Sequence, residues 1–194
     1  MKDIANFLFE VGMLKKTPRS GFQFLGSGGE SVAEHILRTI FIGYTLCKLE
    51  KGVDECRVMK ICLMHDLPEA RTGDMNYVNK KYVNVDEQKA VRELTETLFF
   101  GDDIKSAIDE FNEKASRESL LAHDADQLAL ILQLKEYGDL GNKYSEEWIR
   151  YAVKRLHTDT AKKMACSIME TDSSHWWFKD KSDWWVNGNS GYGQ

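Results

Sequence analysis

Four places in this chain hold side chains that could bind a divalent ion or move a proton. They are His35, the pair His65-Asp66, Glu69 with Asp74, and the run His123-Asp124-Ala125-Asp126. Imidazole and carboxylate together suit Mn, Co, Fe, Ni or Zn, and carboxylates also accept Mg. The stretch ICLMHDLPEARTGD, residues 61 to 74, concentrates the signal. Its apolar start, Ile61-Cys62-Leu63-Met64, runs directly into His65-Asp66. Polar groups at the end of a core segment cost free energy unless something satisfies them. Water, a partner side chain or a metal ion could do so, and these residues alone leave that open. A lone histidine in a helix is ordinarily a satisfied core or surface residue, and the His-Asp pair occurs twice here.

The elements that must position these groups read as helices. Ile4, Phe7, Leu8 and Val11 recur at helical spacing in a first helix, which Gly12 weakens or ends. Residues 15–30 read as a loop, with Pro18, Gly21, Gly26, Gly28 and Gly29. Ser31-Val32-Ala33-Glu34 is a capping-box pattern opening a long helix, with His35 one turn in. A further helix covers about 53–66, and Pro68 breaks or turns the backbone beyond it. After a loop over 76–85, helices are expected at 86–100, 104–114, 118–137, 146–157 and 159–171. Strand-like alternation is nearly absent, so the fold class is all-α. His35, His65 and Asp126 stand 30 and then 61 residues apart, so separate helices must converge for them to meet. A bundle permits that, but spacing does not establish it. Neighbouring His65 and Asp66 point about 100° apart on a helix and can share one ion only if it lies between them.

Length and composition set bounds. The 194 residues fit one domain of ordinary size. A net charge of -5 argues against a broad surface for nucleic-acid polymers. Cys47, Cys56, Cys62 and Cys166 form no CxxC pair and read as buried free thiols in a reducing compartment. Asp3 and Glu10 interrupt the N-terminal apolar residues, so no signal peptide is expected, and no segment is apolar for the roughly 18 residues that a membrane span needs. The expectation is a cytoplasmic protein. The C-terminal HWWFKDKSDWWVNGNSGYGQ holds four of the five tryptophans and reads as a tail that packs on the bundle or on a second subunit. His157 and His175 read as surface or packing residues. Gly26-Ser27-Gly28-Gly29 reads as a flexible loop, since it lacks the lysine of a phosphate-binding P-loop.

Taken in order, SVAEH, MHDLPEARTGD and HDADQL resemble the HD-domain metal-dependent phosphohydrolases, most closely their 5′-deoxynucleotidase-like branch. An arginine followed closely by an aromatic, here Arg19-Ser20-Gly21-Phe22, and Trp176-Trp177-Phe178 near the end extend the likeness over roughly residues 1 to 178. The resemblance implies an all-α HD-domain helical bundle with paired subunits. Residues 1–194 would form a single HD domain, with a core of about 3–171 and a short aromatic tail over 172–194. It implies one divalent ion held by His35, His65, Asp66 and Asp126, with His123 and Asp124 off the pattern despite spelling HD. Glu69 matches the catalytic carboxylate, Asp74 the substrate-contacting aspartate and Arg19 the phosphate-binding arginine. Phe22 stands where the family often has tryptophan, and is expected to pack on sugar or base.

The reaction implied is hydrolysis of a (deoxy)nucleoside 5′-monophosphate to nucleoside and phosphate. Glu69 would handle the proton, and the planar fork of Arg19 would pair with phosphate oxygens. The nearest alternative is another nucleotide phosphoester, such as a nucleoside triphosphate, cyclic nucleotide or alarmone. An alternative of a different kind is a metal-loaded binding module without turnover.

Overall fold

The computed structural model describes residues 1–178. Its helices are α1 (Lys2–Val11), α2 (Val32–Leu49), α3 (Glu55–Met64), α4 (Glu69–Thr72), α5 (Glu87–Thr95), α6 (Gly101–Glu113), α7 (Arg117–Asp139), α8 (Ser145–Val153), α9 (Asp159–Glu170) and α10 (His175–Phe178). Among the described residues there is no strand; Pro18 and Ser31 form one isolated antiparallel bridge. The all-α expectation holds.

The long α7 organises the bundle. Leu121, Ala122, Ala125, Leu128, Ala129, Ile131 and Leu134 are fully buried along it, so it is apolar on most sides, as a central helix must be. Helices α2, α3, α8 and α9 surround it and share one core. A second core lies under α1, the start of α2, α5 and α6, built on Leu14, Val32, Ile36, Val91, Leu94 and Ile108. Each fully buried side chain of this kind contributes roughly 1.5–3 kcal/mol.

Small residues let the central helices approach closely. A Cβ added to Gly43 on α2 would lie 2.8 Å from Cys62 Sγ on α3 and 3.9 Å from Ala125 Cβ on α7. Real Cβ contacts essentially never reach 2.8 Å, so a side chain at this position would force the buried Cys62 or the helices themselves to shift. Those three helices carry His35 on α2, Asp126 on α7 and, at the end of α3, His65.

The helix starts follow capping chemistry. Ser31 Oγ accepts from the Glu34 amide, and the Glu34 carboxylate accepts from the Ser31 amide, the complete capping box. Asp54, Asp86, Ser116 and Thr158 each accept from an amide three residues on and so cap α3, α5, α7 and α9, without the reciprocal bond of the box. Such caps are each worth about 1 kcal/mol.

Several boundaries differ from expectation. The segment 15–30 is not plain loop: Gly12–Lys15 and Ser20–Leu25 form 3-10 turns. Gly28 is fixed in place, with φ +81° and Tyr137 so near that a Cβ would overlap its ring. The expected helix over 86–100 ends at Thr95, whose hydroxyl donates back to the Val91 carbonyl. On α1, Ile4, Phe7 and Val11 pack on the second core, but Leu8 is 62% exposed, because the helix meets its neighbours along a narrower stripe. Cys47 and Cys62 are buried, whereas Cys56 and Cys166 are exposed, on the outer faces of α3 and α9. Trp176 is 87% exposed on the short α10. The rest of the expected tail, including Trp184 and Trp185, lies outside the described residues. Among the described residues no helix is long and apolar enough to cross a membrane.

Candidate metal centre and substrate cavity

His35 sits in the first turn of α2, immediately after the capping box, and is fully buried. Its Nε2 lies 3.0 Å from Asp126 Oδ1 on α7 and 3.6 Å from Asp66 Oδ2. His65 closes the C-terminus of α3. Its Nδ1–H donates to the Cys62 carbonyl at 2.8 Å. A carbonyl only accepts, so the neutral ring keeps its lone pair on Nε2. That Nε2 is buried with no hydrogen-bond partner, 3.3 Å from Asp66 Oδ2. An outer hydrogen bond on one ring nitrogen with the other left open is how proteins present histidine to metals.

The candidate ligand atoms of His35, His65 and Asp126 all lie within 4.8 Å of one another. Groups that each stand about 2.0–2.2 Å from a common ion are separated by roughly 3–4 Å. The cluster therefore fits one divalent ion, and the orphaned Nε2 of His65 gives that fit an independent reason. Asp66 borders the same point from the α3–α4 turn.

Electrostatics favour a cation here. Burial alone would raise the pKa of Asp66, but His65 and Arg19 outweigh it and hold the carboxyl well below the usual range. For Asp126 burial is likewise overcome, first by its hydrogen bond with His35. Burial opposes charge on His65, yet Asp66 and Asp126 raise it to about 9, so near neutral pH a proton holds Nε2 and must leave before the ring can ligate. Burial lowers His35, and Arg19 adds to that, so this ring favours the neutral form that ligation needs.

Glu69 opens α4, one turn after Asp66. Burial, then the neighbouring Asp66 and Asp74, push its carboxyl up to about 9. Its Oε2 is buried without a hydrogen-bond partner. Arg19 Nη1 donates to Asp66 Oδ2 at 3.1 Å. Asp74 Oδ2 accepts from the Ser20 amide at 2.8 Å, and its carbonyl accepts from Ser20 Oγ at 2.7 Å. Those two bonds tie the 19–22 turn to the end of the α3–α4 passage.

Arg19, Asp66, Glu69, Asp74 and Asp126 line a cavity of about 770 Å³, within the range of small-molecule sites, while His35 and His65 are buried and do not line it. Trp148 and Tyr151 of α8, Arg155 just beyond it, and Tyr77 line it further. None of these four was legible as a site residue. Their only sequence signal is aromatic or basic character, and that is common on surfaces.

The HD domain family model matches residues 11–167 of the chain. The chain belongs to the HD domain family. It is similar to 5′-deoxynucleotidase HDDC2 of Dictyostelium discoideum, 32% identical over 149 residues, covering 71% of this chain and 78% of that protein. It is also similar to 5′-deoxynucleotidase HDDC2 of Danio rerio, 30% identical over 149 residues, with 74% of each chain covered. Among solved structures it resembles a conserved hypothetical protein from Pyrococcus furiosus. That likeness has a TM-score of 0.76 at 26% identity, over 86% of this chain and 99% of the other.

The remaining candidates in this HD domain fall in different places. Phe22 is 5% exposed, with its ring edge-on to Tyr137 at 5.5 Å, and it lines the cavity. Asp124 is buried away from the cluster. It accepts from the His157 and Thr158 amides and from Thr158 Oγ1, which anchors the start of α9. His123 stacks on Phe111 and donates to its carbonyl. His157 is exposed and packs edge-on to His123. The second His-Asp pair of the HD sequence therefore has a packing and capping explanation.

Proposed function

We propose that this HD-domain protein is a divalent-metal-dependent phosphohydrolase that converts (deoxy)nucleoside 5′-monophosphates to nucleoside and inorganic phosphate. The observation that carries the reading is the cluster of His35, His65 and Asp126, with Asp66 beside it, opening onto a cavity that also holds Glu69, Arg19 and Asp74. The relatives named 5′-deoxynucleotidase support the substrate class.

A divalent ion supplies Lewis acidity toward a phosphoryl oxygen and acidifies water. His35, His65, Asp66 and Asp126 would hold it, one ion of Mn, Co, Fe, Ni or Zn, with Mg also within reach of the carboxylates. Arg19 pairs through its guanidinium with the non-bridging phosphate oxygens. Glu69, with Oε2 unpaired, moves the proton between the attacking water and the departing ester oxygen. Water adds to phosphorus, the bond to the 5′ oxygen breaks, and nucleoside and phosphate leave. Asp74 accepts a hydrogen bond from a sugar hydroxyl with the oxygen that Ser20 leaves free. Phe22 backs the sugar from the core side. The protein works as a homodimer of single HD domains, each spanning 1–194, in the cytoplasm.

The test is a panel of deoxy- and ribonucleotides on chelator-stripped protein with metals returned singly, reading nucleoside and phosphate. Release of nucleoside and phosphate from 5′-monophosphates supports the reading. Pyrophosphate release redirects it to nucleoside triphosphates, and absence of turnover with every metal makes the protein a binding module.

A further inference from the structure

Gln127 follows Asp126 on α7 and touches it. Its Nε2 donates to Asp126 Oδ2 at 2.8 Å, and its Oε1 accepts from Arg155 Nη1 at 3.0 Å. Those contacts orient the amide without ambiguity, because an ionised carboxylate only accepts and a guanidinium only donates. Arg155 is seated in turn, its guanidinium carbon 5.1 Å from the centre of the Tyr77 ring. Such a cation–aromatic contact favours a fixed position for the charged group. Tyr77, Arg155, Gln127 and Asp126 thus form one row, running from the segment after α4, across the end of α8, to α7. At its inner end the Asp126 carboxylate is divided. Oδ2 belongs to Gln127, while Oδ1 stands 3.0 Å from His35 Nε2 inside the ligand cluster.

We infer that Gln127 and Arg155 are positioning residues that hold Asp126 as a one-oxygen ligand and thereby set the metal affinity of the centre. The inference rests on the metal-dependent reading of the site. The terminal torsion of an aspartate is soft, so an unrestrained carboxylate swings between offering one oxygen and offering two. The Gln127 N–H occupies the second oxygen. Arg155 polarises the Gln127 amide through its carbonyl oxygen and strengthens that N–H as a donor, the cooperativity of linked hydrogen bonds. Outer partners of metal ligands elsewhere change metal affinity on the order of 10–100-fold when removed.

Simple stapling of α8 to α7 would also use these contacts, but it would be read in thermal stability and not in metal affinity. The experiment titrates chelator-stripped protein with Co(II) alone and with Mn(II) alone, by calorimetry and, for cobalt, by visible absorption. Gln127→Ala should weaken binding by about 10-fold or more and alter the cobalt spectrum, with helical content unchanged. Arg155→Met should weaken binding less, and Arg155→Lys, which keeps a charged donor, should recover most of the loss. Adding Arg155→Met to Gln127→Ala should cost nothing further, since Arg155 acts through the amide. Wild-type protein that binds neither ion overturns the metal reading and the inference together. Wild-type binding with equally tight binding by Gln127→Ala overturns the inference alone. A further loss in the double variant overturns the route assigned to Arg155.

Discussion

Arg19 and Asp66, 47 positions apart in the chain, are joined by a hydrogen bond of 3.1 Å from Nη1 to Oδ2. The arginine therefore already faces a carboxylate of the candidate metal centre. One guanidinium can hold a ligand's outer oxygen and still present further N–H groups to a phosphate. It also places a fixed positive charge beside the position of a cation.

That arrangement separates two effects of Arg19→Ala. Affinity for a nucleoside monophosphate should fall by about one to two decades, the worth of a charge-assisted hydrogen bond of roughly 1.5–3 kcal/mol. Metal affinity should stay level or rise, because a competing positive charge has gone. Nucleotide binding and metal titration on the same variant check both. Metal loss in Arg19→Ala would show that the arginine chiefly supports Asp66.

Glu69→Gln should keep the bound metal and lose turnover by about 100-fold or more, the usual contribution of a positioned acid or base. Glutamine preserves size but cannot carry the proton. Metal analysis beside steady-state kinetics tests the assignment. An empty site in this variant would make Glu69 a ligand.

Asp126→Asn and Asp124→Asn should fail in different ways. The first removes the charge beside His35 and should lower metal content and activity together. The second weakens the cap at the start of α9, where Asp124 accepts from two amides and a hydroxyl. Hydrogen bonds to charged groups are worth about 1.5–3 kcal/mol each. Asp124→Asn should therefore melt several degrees lower while its folded fraction binds metal normally. The reverse pattern would transfer the ligand role to Asp124.

Glu30 predicts a pH dependence of stability. Burial raises its carboxyl from 4.5 to about 7, against the pull of Arg19 and Arg38, and its Oε2 has no hydrogen-bond partner. Between those two values the folded chain binds more protons at this site than the unfolded chain. The Glu30 contribution to stability is thus favourable at low pH and declines as pH rises through the window. Glu30→Gln, which stays neutral, should match the wild type near pH 4.5 and melt a few degrees higher above pH 7. Melting curves of both proteins across that range decide it. A constant difference at all pH values would mean that the carboxyl titrates normally.

What the sequence determined by itself was local. Helical periodicity, the Ser31–Glu34 capping box and the interruption at Pro68 depend on neighbours within a turn or two, so the all-α class and most helix positions were legible. The ordered motifs around His35, His65 and Asp126 pointed to the family for the same reason: each motif is short and contiguous. Helix register showed only that Asp124 and Asp126 point to nearly opposite faces and do not both reach one ion; the resemblance to the family selected Asp126. The tertiary structure decided what depends on surfaces meeting. His35, His65 and Asp126 converge where α2, α7 and the end of α3 pack together, and Gly43 leaves room for Cys62 and Ala125 between the same helices. Phe22, expected at the substrate, both lines the cavity and packs edge-on to Tyr137 in the core. Trp148, Tyr151 and Arg155 come to the cavity only because α8 folds back across α7. Gln127 and Arg155 stand 28 positions apart, and their contact has no periodic signature. Close packing of non-local faces, not propensity, brings such residues together, and a single chain's local pattern does not encode it.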